Sequence, residues 1–191
     1  MNYKKWIYYY EKNSIEFCTN LLTKHLKFYN KKKYDNILFL CLGTDTMIGD
    51  SIGPLVGSLL QDLKNENIHV IGNLESPITG NNYNKTVRMI KRKYKKSLII
   101  LIDAAVQKHE IGEKKKEKAQ GAISIKKNLV KFNDGRMEIN ADVNILGFVG
   151  SCIGRFDDTK NELWLSRMSL DMIMKISNVI AESIKNAIKN I

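Results

Sequence analysis

An α/β fold built on a mostly parallel sheet is what this sequence predicts, on three observations. Asn36–Leu42 and Ser97–Ile102 are unbroken apolar runs of strand length, the pattern of strands buried on both faces. Two amphipathic helical patterns and one short strand lie between them, so the first hundred residues read strand, helix, strand, helix, strand. A turn-rich segment, Gly43 to Asp50, follows the first of these strands, where such folds place their ligand loops.

The elements follow in order. Tyr8, Tyr9 and Tyr10 form an aromatic cluster expected to pack on the domain. Ile15, Cys18, Leu22, Leu26 and Tyr29 recur at three and four residues, which makes a helix over about 14–30. After the strand and its turn, Leu55, Val56, Leu59, Leu60 and Leu63 mark a second helix, with Pro54 in its first turn, where no N–H is missed. Ile68–Ile71 is a short strand and 72–82 an irregular loop. Tyr83, Val87, Ile90 and Tyr94 give a third helical stripe. Asp103 follows directly on the apolar strand Ser97–Ile102. The charged stretch from His109 to Gln120 reads as a mobile loop. Gly121–Ile125 and Val143–Val149 are further strands, with a polar excursion through Asn133, Asp134 and Gly135 between them. Met168, Ile173, Ile176, Ile180, Ile184, Ala187 and Ile191 trace a closing helix. One domain over 1–191 is expected, with its core at about 36–190.

The chain has 191 residues, 43% hydrophobic and 27% charged, enough apolar material for a core without staples. Cys18, Cys41 and Cys152 are widely spaced and make no CxxC, which points away from disulfides and structural zinc and toward a reducing, cytoplasmic setting. No apolar run approaches the roughly 20 residues of a membrane helix, and Met1 to Lys12 is too charged for a signal peptide. The formal net charge is +11, concentrated in Lys31–Lys33, Lys91–Lys96 and Lys114–Lys118. These runs read as solvated faces. No aromatic interleaving or nucleic-acid motif accompanies them, so nucleic acid is not the expected partner.

The chemistry gathers in aspartates. Loops after neighbouring parallel strands meet at the point where strand order reverses. Asp45 and Asp50 leave the first strand by its loop, and Asp103 leaves the third. Asp50 has two open roles, as N-cap of a helix beginning at Ser51 and as a catalytic acid. Asp45 reads as a turn residue bonding its own loop. Asp103, an acid directly after apolar strand residues, reads as functional.

Sharper motifs fail at the residues that matter. Gly43 to Gly49 is neither GxGxxG nor GxxxxGK[ST]. Gly49-Asp50-Ser51 has the look of a GDS-esterase nucleophile turn, but no histidine follows His109 to serve as its base. His25, His69 and His109 have no ligand spacing, so no cofactor is expected, and only a divalent metal held by Asp and Glu stays open.

At this point a family resemblance enters. Leu42-Gly43-Thr44-Asp45 and Gly49-Asp50-Ser51-Ile52-Gly53-Pro54-Leu55-Val56-Gly57 resemble the hallmark of the YyaC-type sporulation proteins. The likeness continues through Leu74-Glu75-Ser76-Pro77, Ile102-Asp103-Ala104, Asp142 and Met174–Ile184. That family is similar in fold to the spore germination protease and to hydrogenase maturation endopeptidases. The resemblance implies a three-layer, phosphorylase/hydrolase-like α/β/α fold and a sporulation-associated peptidase. It implies catalytic Asp50 and Asp103, with Asp45, Ser51, Glu75 and Asp142 in support. A protein or peptide substrate and a cytoplasm or forespore setting are implied with them. The sequence departs from the family in two places. Ile78-Thr79-Gly80 stands where a histidine is usual, and Lys131-Phe132-Asn133-Asp134-Gly135 replaces a Pro/Gly-rich stretch.

Two functional expectations follow. In one, two carboxylates share a crevice and one keeps its proton, so the pair works as acid and base on a water and a scissile carbonyl. Backbone N–H groups near Ser51 and Ile52 would hold the oxyanion. In the other, the fold is non-catalytic and binds a protein partner, or nucleic acid through its basic surface. Nothing in the residues sets an oligomeric state.

Overall fold

The computed structural model describes residues 6–30, 34–109, 119–127, 139–153, 165 and 167–191. The expected charged loop, the Asn133–Gly135 excursion and the Lys31–Lys33 run lie largely or wholly outside those residues. The elements run β1 (Ile7–Tyr8), α1 (Ser14–Asn30), β2 (Asn36–Cys41), α2 (Ile52–Leu59), β3 (Ile68–Ile71) and α3 (Gly80–Lys93). Then come β4 (Ser97–His109), β5 (Ala122–Lys127), β6 (Val143–Ile153) and α4 (Leu170–Lys189). Two 3-10 turns, Ile48–Asp50 and Gln61–Leu63, flank α2.

The strands form one sheet in the order β1-β5-β6-β4-β2-β3. β3, β2, β4 and β6 are parallel neighbours, and β5 and β1 close one edge antiparallel. The central strands read as continuous apolar runs because both sheet faces are covered. Phe39, Cys41, Ile100, Ile102, Val143 and Ile145 point into one core with Cys18 and Leu22 of α1, Ile52 and Val56 of α2, and Ile173 and Ile176 of α4. Leu38, Leu40 and Leu101 point the other way, onto Tyr83, Val87 and Ile90 of α3. The period of two therefore sorts neighbours into opposite layers, and the expected three-layer α/β/α arrangement results.

Several element boundaries differ from expectation. The second helix stops at Leu59, and Leu63 belongs to the separate turn, because Leu60 leaves helical geometry. The third helix begins at Gly80, where the Asn82 side chain accepts the Thr79 N–H and holds the helix start. Ile15, placed on the buried stripe of α1 by spacing, is exposed, while Cys18, Leu22 and Leu26 are buried. Of the tyrosine cluster, Tyr8 is buried beside β5, and Tyr10 is 67% exposed. β4 does not end at Ile102 but runs on to His109, and β6 runs beside it to Ile153. No helix among the described residues is long and apolar enough to cross a membrane.

Candidate active site

β2 is shorter than the strand beside it, and that difference opens the carboxyl end of the sheet between them. Its last residue, Cys41, pairs with Ile102, and the Leu42 N–H still donates to the Ile102 carbonyl at 2.9 Å. β4 then continues without β2 beside it, so Asp103 is the first β4 residue past the end of its neighbour. This corrects the expectation that Asp103 leaves the strand: it lies within β4, paired with Leu146 of β6. It shares the α3 side of the sheet with Ile99 and Leu101, by the two-residue period.

The chain from β2 goes through α2 to β3 on one side, and β4 and β6 lie on the other. The gap between the β2 and β4 ends is thus the topological switch point, where open α/β sheets bind ligands. Both neighbouring loops are tied there. Leu42 forms a bridge to Ile78 of the loop after β3, and the Gly43 N–H donates to the Ile78 carbonyl at 3.0 Å. Gly43 has φ 126°, open to glycine and strained for other residues. The chain reverses there, so that the Thr44 N–H donates to the Asp50 carbonyl at 3.1 Å.

Asp50 ends the 3-10 turn Ile48–Asp50, which packs against β4 and α4. It is half-buried, as is Asp103. The structure corrects the capping alternative. α2 starts at Ile52 and Ser51 holds the N-cap position, so Asp50 is one residue too early to cap that helix. Ser51 is buried, and its hydroxyl donates to the Ile48 carbonyl at 2.7 Å. That bond closes the turn carrying Asp50 and gives Ser51 a structural part. Cys41, directly below the site, is fully buried, and burial pushes its thiol pKa up, so it is an inert apolar filler.

The glycines of the Gly53-Pro54-Leu55-Val56-Gly57 segment are there for packing. A Cβ on Gly53 would run into the Leu42 backbone, and one on Gly57 into the Gly72 backbone. α2 therefore lies directly on the chain leaving β2 and β3, which fixes the 3-10 turn ahead of it.

The supporting residues divide. Asp45 is exposed on the bend, where the local side-chain bonds join Thr44 Oγ1 to Thr46 Oγ1 at 2.9 Å and to the Thr46 N–H at 3.2 Å. Glu75 is exposed on the loop after β3, at the same end of the sheet. Asp142 is at the other end. Its carboxylate accepts the Tyr34 hydroxyl at 2.8 Å and the Ile99 N–H at 3.0 Å. Ile99 lies four residues before Asp103, about 13 Å along the strand. Asp142 therefore ties the amino ends of β4 and β6 together rather than joining the pair.

One residue escaped the sequence reading. Asn144 is buried in β6, paired with Leu101, one step below the Asp103–Leu146 pair and on the same face. An amide inside the apolar run Val143-Asn144-Ile145-Leu146 was the available signal, since a buried polar residue is the informative exception in a strand.

No group of three or more His, Cys, Asp and Glu among the described residues is placed to hold a metal ion. Thr79, where the resemblance leads one to look for histidine, begins α3 instead.

Comparison with known proteins places the chain. It is 29% identical over 154 residues to a Bacillus subtilis (strain 168) protein given as "Uncharacterized protein YyaC", covering 78% of this chain and 67% of that one. In structure it is similar, with a TM-score of 0.44 and 15% identity, to the [NiFe] hydrogenase maturation protease HycI from Thermococcus kodakarensis KOD1, over 86% of this chain and 99% of that one. The signature of the family described as "Protein of unknown function (DUF1256)" matches residues 6–183, and the chain belongs to that family.

Proposed function

We propose that this protein is a hydrolase of the peptidase type, working on a protein or peptide in the cytoplasm of a sporulating cell, with Asp50 and Asp103 as its acid–base pair. The observation that supports the reading is the register between β2 and β4, which leaves Asp103 past the end of β2, at the same end of the sheet as the loop that leads from β2 to Asp50. The likeness of these segments to the YyaC-type hallmark supports it.

The chemistry needs two carboxylates in different protonation states. Like charges in one crevice disfavour double ionisation, so the pair holds one proton between them. The ionised member takes a proton from water as its oxygen attacks the scissile carbonyl. The neutral member donates to the carbonyl oxygen. Collapse of the tetrahedral intermediate breaks the C–N bond and returns a proton to the leaving amine. The Ser51 N–H bonds the Ile48 carbonyl at 3.2 Å, and in this reading the Ile52 N–H, the first of α2, holds the oxyanion. Asp45 and Glu75 stand on the rim, where they contact substrate, and Ser51 and Asp142 hold the turn and the strands in place.

The test is incubation of purified protein with spore protein, reading new N-termini by mass spectrometry. Termini that vanish with both Asp50→Asn and Asp103→Asn support the reading, and equal cleavage by all three proteins refutes it.

A second reading is a non-catalytic binder of a protein partner or nucleic acid. Thr79 in the histidine position, with its N–H held by Asn82, favours it. In that case both Asn variants keep their partner.

A further inference from the structure

The sheet has an open strand edge in its interior. Past Ile102, β4 keeps β6 on one side and loses β2 on the other. The backbone groups of a strand point alternately to its two neighbours. The Ile102 carbonyl accepts the Leu42 N–H, so Ile102 faces β2, and by alternation Ala104 and Val106 face the same way. Among the described residues, no backbone group bonds the N–H or C=O of Ala104 or Val106 on that side. The turn Ile48–Asp50 packs against β4 but exchanges no backbone hydrogen bond with it. Asp103, Ala104, Ala105, Val106 and Gln107 are all half-buried, and five strand residues span about 17 Å.

The outer edges of the sheet are managed differently. On β3, the outward-facing Ile68 gives its N–H to the Asn65 side chain at 2.9 Å, and its carbonyl accepts the Asn65 N–H at 3.2 Å. On β1, two residues long, the Tyr8 carbonyl accepts the Glu11 N–H at 3.0 Å. An open edge invites pairing, and proteins blunt it with charge, proline or a covering turn. Ala104-Ala105-Val106-Gln107 contains neither charge nor proline. This unguarded stretch lies at the switch point and follows directly on Asp103.

The edge chooses its occupant by the groups it offers. Ala104 and Val106 present N–H and C=O in alternation, at a repeat of about 6.6 Å. An extended polypeptide carries the complementary groups at the same repeat. A nucleic acid has no such ladder, and an anion leaves both carbonyls unmatched. Ala104 and Ala105, on opposite faces, are too small to crowd the side chains of an added strand. Each bond replaces one to solvent, so its net worth is modest and a bound peptide can leave again, as a substrate must.

We propose that the free edge of β4 holds an extended segment of a protein substrate as an added strand, its backbone paired with Ala104 and Val106 and its chain passing Asp103. The proposal rests on the peptidase reading only for the fate of the bound peptide. Binding without cleavage removes that reading and keeps the added strand. Cleavage without protection of Ala104 and Val106 does the reverse.

The test is amide hydrogen exchange of the full isotope-labelled chain, read by NMR with and without a soluble capped heptapeptide of alternating valine and threonine. With saturating peptide, exchange at Ala104 and Val106 is expected to slow by about tenfold or more, while Asp103 and Ala105, whose N–H groups face β6, change little. The same peptide N-methylated at every residue is expected to give no protection. Ala104→Pro removes an outward N–H and no bond to β6, and is expected to weaken peptide binding about fivefold, the worth of one hydrogen bond. The exchange measurement on the parent chain decides the matter even where that variant fails to fold. Protection of both amides in the free chain, protection that grows with protein concentration alone, no slowing with peptide, or an equal effect of the N-methylated peptide each overturns the proposal. So does undiminished binding by a folded Ala104→Pro.

Discussion

The Asp50 carbonyl packs against Gly43 so closely that a Cβ on that glycine would overlap it, while the same oxygen accepts the Thr44 N–H. A backbone contact between the first and last turns of one loop thus sets where the Asp50 side chain starts. Gly43→Ala meets both a left-handed φ and this overlap. It is expected to lower stability by about 2 kcal/mol or more and to reduce any cleavage further than stability alone explains. Urea unfolding followed by assay at a temperature where the variant is folded checks it.

Asp50→Asn and Asp103→Asn are each expected to lower peptide cleavage by about 100-fold or more, the usual reach of general acid–base catalysis. The double variant is expected to lose little beyond either single one, because in the proposed mechanism the two act as a unit. Cleavage kinetics on a substrate found by N-terminal mapping decide this. Additive losses would argue for two separate roles.

Asp142→Ala separates framework from chemistry. It removes the acceptor for Tyr34 and for the Ile99 N–H, at a cost of about 1–3 kcal/mol. Because Asp142 lies at the far end of β4, kcat of the folded fraction is expected to stay within about twofold of the parent. A large kcat loss in a stably folded variant would overturn that assignment.

Gly53→Ala forces α2 away from the Leu42 backbone. A loss of about 1–3 kcal/mol is expected, as for overpacking in a rigid core. Leu59→Ala, on the exposed side of the same helix, serves as the control and is expected to change stability far less.

The histidines make stability pH-dependent. Burial, then Lys127 and Lys24, holds the His25 pKa below its ordinary value, and burial and Lys93 do the same for His69. The unfolded chain therefore binds protons more readily. Stability is fully present above about pH 6.5, the unfolded value, and declines as pH falls toward the folded values. Urea midpoints at pH 7.5 and pH 5 are expected to differ in that direction, and His25→Gln is expected to shrink the difference.

Much of this molecule was legible in the residues. The runs at Asn36–Leu42 and Ser97–Ile102 could only be buried strands, because a length of six or seven apolar residues fits little else. The spacing of Val87 and Ile90, and of Ile173, Ile176 and Ile180, named the faces that α3 and α4 bury. That the loop bearing Asp50 and the strand bearing Asp103 meet one end of the sheet followed from strand order, a rule about topology that sequence patterns can invoke.

Other features depended on contacts between distant segments. That Asp103 lies inside β4 was hidden, because whether a strand continues depends on its neighbour, and β6 supplies pairing as far as Ile153. Asp142 matched a family position yet stands at the opposite end of the sheet, since a match in sequence does not state which strand end a residue caps. Ser51 could be read as nucleophile or cap until its hydroxyl was seen to close the turn on Ile48. The sequence by itself determined the layers, through the period and length of its apolar runs. Only the tertiary structure decided which carboxylates share an end of the sheet, because register and strand length are set by pairing across the sheet and not by any one strand's own residues.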